Sequence, residues 1–208
     1  MMNLLNCYLP VFRLITAFLL HPQQHSDYDA FREKCMSLLQ YSLHESELHH
    51  EQQDCDNALF AVVLWLDERV LCSAATWVKK WQGELLQSHY FNISVGGEAF
   101  YFRLDEIEQS NVPVRIVYLF CLLMGFHGKY TGQCAQRLQK RIDKERQCLP
   151  EAWRMWPNDA SLVEQPVPYD KGNYLRKIAL LKNKIFLFAV PLCLYLLMLT
   201  AGFGIFTW

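Results

Sequence analysis

Two stretches of this chain carry residue types that could do chemistry. The first, LHESELHHEQQDCD over residues 43–56, gathers His44, His49 and His50 with Glu45, Glu47, Glu51, Asp54 and Cys55. Imidazole, carboxylate and thiol together are the donor set of a zinc centre or a metal-assisted hydrolase. The spacing argues against it: a helical HExxH site needs two His four apart, whereas His44 and His49 are five apart, which rotates the second ligand away from the first. The stretch is expected to be a solvated acidic helix end or loop. No metal and no cofactor is expected.

The second stretch is NALFAVVLWLDERVL, residues 57–71, with the adjacent carboxylates Asp67 and Glu68. On a helical wheel Leu59, Val62, Val63, Leu66 and Val70 make one apolar stripe, and Phe60, Leu64 and Leu71 make another about 120° away. A helix apolar on two sides is a central one. Asp67 falls between the stripes, so it should be partly buried and must find a cation or backbone donors, while Glu68 should be more exposed. No second carboxylate or His is spaced to sit beside Asp67 on this helix, so acid–base catalysis is disfavoured. Asp67 is expected to pin neighbouring helices or cap a helix N-terminus. Neither Gly96-Gly97 nor the GxxG of Gly125–Gly128 has the context of a nucleotide-binding loop.

These residues must be positioned by helices, because the chain shows helical periodicity and no strand pattern. Residues 3–20 read as an amphipathic first helix, since Arg13 interrupts the apolar run and no basic region precedes it as in a signal peptide. His21-Pro22 ends it. Ser26 and Asp27 can cap a second helix carrying Phe31, Cys35, Leu38, Leu39 and Leu43. After the central helix, Trp77 and Trp81 open a fourth that runs through Leu85 and Leu86 to about Asn92, its two aromatics facing the core. Gly96-Gly97 is expected to turn the chain, with Ser94 as cap, into a fifth helix containing Glu98. A sixth, VPVRIVYLFCLLMGF, starts at Pro113, is apolar almost all round, and is stopped by Gly125–Gly128. The seventh, GQCAQRLQKRIDKERQCL, should turn Cys134, Leu138 and Ile142 inward and Arg137, Lys140, Arg141, Lys144 and Arg146 outward. Pro150, Pro157, Pro166 and Pro168 mark an extended linker.

From Ile185 to Trp208 run 24 residues without a charge, enough to cross a hydrocarbon core of roughly 30 Å. Lys171, Arg176, Lys177, Lys182 and Lys184 stand on its N-terminal side, so the positive-inside rule puts the preceding residues in the cytoplasm. Trp153 and Trp156 are assigned to the membrane interface. The net charge of −1 conceals a polarity: residues 1–110 hold 15 acidic and 7 basic side chains, residues 111–208 hold 6 and 13. Anionic headgroups account for the basic half, and no nucleic acid is needed. Eight Cys without a CxxC pair suit reduced thiols in a cytosolic compartment. The organisation expected is a helical domain over 1–149, a linker and basic juxtamembrane segment over 150–184, and a transmembrane anchor over 185–208.

Four segments in order, ALFAVVLWLDERVL, the Trp77 and Trp81 region running into ELLQSHYF, GGEAFYFRL, and YLFCLLMGFHGKYTG, together with the C-terminal span, resemble the DotU/TssL (IcmH) family of bacterial type VI and type IVB secretion systems. The resemblance implies an all-α, hook-shaped cytoplasmic domain of two fused three-helix bundles with one C-terminal transmembrane helix in the inner membrane. It implies a non-enzymatic scaffold that binds an IcmF/TssM-like inner-membrane protein, receives baseplate subunits in type VI systems, and self-associates as a homodimer through the span. Some members continue into a peptidoglycan-binding domain; here wall attachment is expected from a partner. Asp67, Glu68, Trp77, Trp81, Gly125, Phe126, Gly128 and Tyr130 are the candidate partner-binding residues around a cleft between bundles. The alternatives are a type IVB subunit, a tail-anchored helical regulator, whose Asn-Trp-Gly-Arg signature is missing, and a hydrolase using the His44–Asp56 stretch.

Overall fold

The computed structural model describes residues 3–154, which fall within one compact unit, and every regular element in them is helical. Helices α1 (Leu4–Leu20), α2 (Tyr28–Glu47) and α3 (Gln52–Leu71) are followed by two short ones, α4 (Val78–Gly83) and α5 (Leu86–Phe91). Then come α6 (Gly96–Glu106), α7 (Val112–Leu123), α8 (Ala135–Gln147) and a single turn, α9 (Glu151–Arg154). The expected anchor over 185–208, the linker beyond residue 154 and Trp156 lie outside the described residues.

The first two helices start where side chains can satisfy orphan amides. Asn3 accepts from the amide of Leu5, and Asp27 from that of Ala30. Leu20 is the last residue of α1, and Pro22 opens a 3-10 turn, as the sequence implies. The core centres on α3, which packs against α1, α2, α4, α5, α6 and α7. Both of its predicted stripes are covered: Leu59, Phe60, Val62, Val63, Leu64, Leu66 and Val70 are all buried. Burying a side chain of this kind stabilises the fold by about 1.5–3 kcal/mol. The second central helix, α7, begins with Val112-Pro113 and buries Val114 through Leu122. The stretch Val112–Tyr130, of which α7 is the larger part, is long and apolar enough to pass as a membrane span, and the burial of α7 within the domain identifies it as core.

The His-rich stretch is divided between elements. Glu47 closes α2, residues 48–50 form a turn, and Gln52 opens α3. His44, Glu47, His49 and Glu51 point to solvent, while Cys55 is sealed beneath the Tyr8 hydroxyl, which donates to the Cys55 carbonyl at 3.3 Å. Asp54 accepts from Asn111 at 2.6 Å.

Four expectations are corrected. The helix over Trp77–Asn92 is broken into α4 and α5, for a reason given below. Gly96 and Gly97 do not turn the chain: they are the first residues of α6, whose cap is Val95 and not Ser94. On α8, Cys134 is exposed, and Arg141 lies inward with 9% of its side chain accessible, because Glu145 and Asp105 offer it carboxylates. Lastly, the linker starts helically over Glu151–Arg154, with Pro150 just ahead of the first turn, where a missing amide costs nothing.

Candidate functional site

The adjacent carboxylates Asp67 and Glu68 of α3 are each spent on backbone amides. Asp67 is 1% exposed; its Oδ1 accepts from the indole Nε1 of Trp81 at 2.8 Å and the amide of Leu86 at 3.1 Å, and its Oδ2 from the amide of Gln87 at 2.8 Å. Leu86 and Gln87 are the first residues of α5, which has no side-chain cap of its own. Asp67 therefore acts as the N-terminal cap of a helix remote in sequence, and this is what divides the expected fourth helix: the chain must present fresh amides at residue 86 to satisfy a buried carboxylate. Burial pushes the Asp67 carboxyl up to about 6, against the downward pull of the Gln87, Trp81 and Leu86 donors.

Glu68 does the same for a second segment. Its oxygens accept from the amides of His127 and Gly128 at 2.7 and 2.8 Å, and His127 Nδ1 approaches it at 3.4 Å. The side chain keeps 18% of its surface, so the predicted order of exposure holds. Its neighbours on α3 hold the carbonyls of the same turn: Trp65 Nε1 donates to Met124 at 3.1 Å and Arg69 to Gly125 at 3.4 Å. Gly125, at φ 88°, ends α7 in the left-handed conformation, and the Phe126 amide folds back onto the Cys121 carbonyl. Gly128, at φ 52°, opens a 3-10 turn through Tyr130.

The other candidates are distributed by burial. Trp81 is fully enclosed and Trp77 nearly so, its indole donating to the His25 carbonyl at 2.7 Å. Their rings stand 6.0 Å apart within an aromatic cluster that includes Phe18, Tyr28 and Phe31. Phe126 is buried against Phe100 at 4.2 Å. Glu68, Gly125, Gly128 and Tyr130 retain partial access. The structure thus gathers Glu68 with the Gly125–Tyr130 turn, and Asp67 with Trp77 and Trp81 on the other side of α3.

Compared with known families, residues 3–208 match the family described as type VI secretion system protein DotU. The chain belongs to the DotU family. It is a type VI secretion system component, and its family is a structural, generally non-enzymatic one. Among solved structures, the cytoplasmic domain of TssL from Acinetobacter baumannii matches with a TM-score of 0.62 at 24% identity, covering 71% of this chain and 97% of that one. T6SS SciP/TssL from enteroaggregative Escherichia coli 042 matches with a TM-score of 0.60 at 25% identity, covering 71% and 88%. No curated protein matches the sequence. The DotU motifs singled out in the sequence are therefore, in this chain, the places where α3 grips its neighbours.

Two features escaped the sequence. Gly97 and Gly128 pass so closely that a Cβ on Gly97 would stand 3.0 Å from Gly128 backbone, and one on Gly128 would stand 2.7 Å from the Gly97 carbonyl oxygen. The two glycines of separate motifs are one contact. Between α7 and α8 lies an ion network, buried at Arg115, Arg141 and Glu145 and open to water at Asp105: Arg115 meets Glu145 at 2.6 Å, Arg141 meets Glu145 at 2.9 Å and Asp105 at 2.8 Å. Arg115 also donates to the Ile107 and Glu108 carbonyls, at 2.6 and 3.0 Å. A single Arg in the apolar run of α7 was the available signal: a cation there requires a buried anion.

Proposed function

We propose that this chain is a non-enzymatic scaffold of the type VI inner-membrane complex, in which the helical domain faces the cytoplasm and residues 185–208 anchor it. It binds an IcmF/TssM-like inner-membrane protein, receives baseplate subunits, and self-associates through the span. The observation that carries this reading is the DotU match over residues 3–208, which takes in both the domain and the apolar tail. The site geometry supports it: Asp67 and Glu68 are both occupied by fixed donors, which suits a rigid docking platform better than a proton carrier. The expected hook of two three-helix bundles would share α3, which packs against α1 and α2 as well as α6 and α7. Of the candidate residues, Glu68, Gly125, Gly128 and Tyr130 have surface to offer a partner, and Asp67, Trp77, Trp81 and Phe126 shape that surface from beneath.

The test is detergent co-purification of the tagged full-length chain from its native membrane. An IcmF/TssM-like protein and baseplate subunits should accompany it, and Tyr130→Ala should weaken that recovery while the chain stays folded. A chain recovered alone from membranes that contain those proteins would overturn the scaffold reading.

A further inference from the structure

Four of the five cations of helix α8 fall into two sets. Arg141 is drawn inward to Glu145 and Asp105, beside buried Ile142. Arg137, Lys140 and Lys144, three and four residues apart, form a row along the flank of the helix beside Arg141, and all three are exposed. Among the described residues none of the three meets a carboxylate: Arg137 donates only to the Gln133 side chain, at 3.1 Å, and no carboxylate lies within salt-bridge distance of either lysine. Gln136 and Gln147 fill the same face with neutral side chains, and Asp143, held by Gln139 at 2.9 Å, borders it.

We infer that the Arg137, Lys140 and Lys144 face of α8 rests on the anionic phospholipid headgroups of the membrane that holds the anchor. This rests on the anchoring role proposed for residues 185–208. Three observations favour lipid as the occupant. The face is cationic with carboxylates kept to its border; α8 is the last long described helix before that apolar stretch; and the intervening sequence adds Lys171, Arg176, Lys177, Lys182 and Lys184. A cation near an anionic leaflet contributes a few-fold preference, so three together weight the docked orientation by about two orders of magnitude. One anchor fixes where the domain is; a second contact on α8 would fix which way it faces.

The experiment uses the full-length chain in lipid nanodiscs, with a donor dye on exposed Cys134 at the start of α8 and an acceptor on lipid headgroups. Cys72→Ser and Cys148→Ser remove the other thiols with access to solvent among the described residues, and Cys193→Ser removes the one in the proposed anchor. Transfer should be high in discs containing phosphatidylglycerol and low in phosphatidylcholine alone. It should fall to the neutral-lipid level in Arg137→Gln/Lys140→Gln/Lys144→Gln, and fall likewise for the unsubstituted face in high salt. Equal transfer in the two lipids, or a triple variant that keeps the anionic-lipid signal, would overturn the inference. So would a triple variant whose transfer is unchanged but which loses a co-purifying protein, since the face would then be a protein contact. A chain that never enters the discs defeats the anchor, and this inference with it, whereas a chain that enters and shows no lipid preference defeats the headgroup contact alone.

Discussion

The indole of Trp81 donates to Oδ1 of Asp67 at 2.8 Å, with Trp81 wholly enclosed and Asp67 1% exposed. Trp81→Phe should remove one charge-assisted hydrogen bond and cost about 2 kcal/mol, whereas Asp67→Ala, which strands the indole and two amides, should cost about 3–5 kcal/mol. Urea denaturation of residues 1–163, the compact unit, measures both. The double variant should cost less than the sum, because the two share one contact.

The same carboxyl sets a pH dependence. Its folded pKa of about 6 lies above the ordinary value of 3.8, so the folded state takes up its proton first. As pH rises from about 4 to 6, this group therefore subtracts stability, on the order of 3 kcal/mol in all. The stability advantage of the wild-type chain over Asp67→Asn should shrink across that window. An advantage that grew with pH would mean that the carboxylate is better stabilised folded than unfolded.

Glu68 should act locally. Glu68→Ala frees the amides of His127 and Gly128, so their hydrogen exchange should accelerate by tenfold or more while amides at the centre of α3 change little, a loss of about 1–2 kcal/mol confined to the turn. Exchange followed by mass spectrometry or NMR distinguishes this from global unfolding.

The crossing of Gly97 and Gly128 leaves no room for a methyl group. Gly97→Ala must push backbone aside, and Gly128→Ala adds a side chain at φ 52° as well as the contact with the Gly97 carbonyl. Each should lower stability by about 1–3 kcal/mol, and Gly132→Ala, where the Cβ meets nothing, should cost only its positive-φ strain of about 1 kcal/mol. Thermal melts of the three variants rank them.

Glu145 holds two arginines below the surface. Glu145→Ala should cost about 3–5 kcal/mol by leaving Arg115 and Arg141 uncompensated, and more than Arg141→Ala, since Asp105, the other partner of Arg141, is half-exposed and can return to water. Chemical denaturation of the two variants checks the order.

Local periodicity determined which stretches are helical, that α3 and α7 are central, that Asp67 is more buried than Glu68, and that α7 stops at Gly125, because a face pattern and a cap depend on residues within a turn or two of each other. The order of four motifs along the chain carried the family. Tertiary structure alone decided what those motifs hold. No spacing rule links Asp67 to the amides of residues 86 and 87, Glu68 to those of 127 and 128, or Gly97 to Gly128, and none would break residues 77–92 at Glu84-Leu85. A buried polar group must find its partner wherever the packed chain brings one, and a wheel reports which way a side chain points without reporting what waits there.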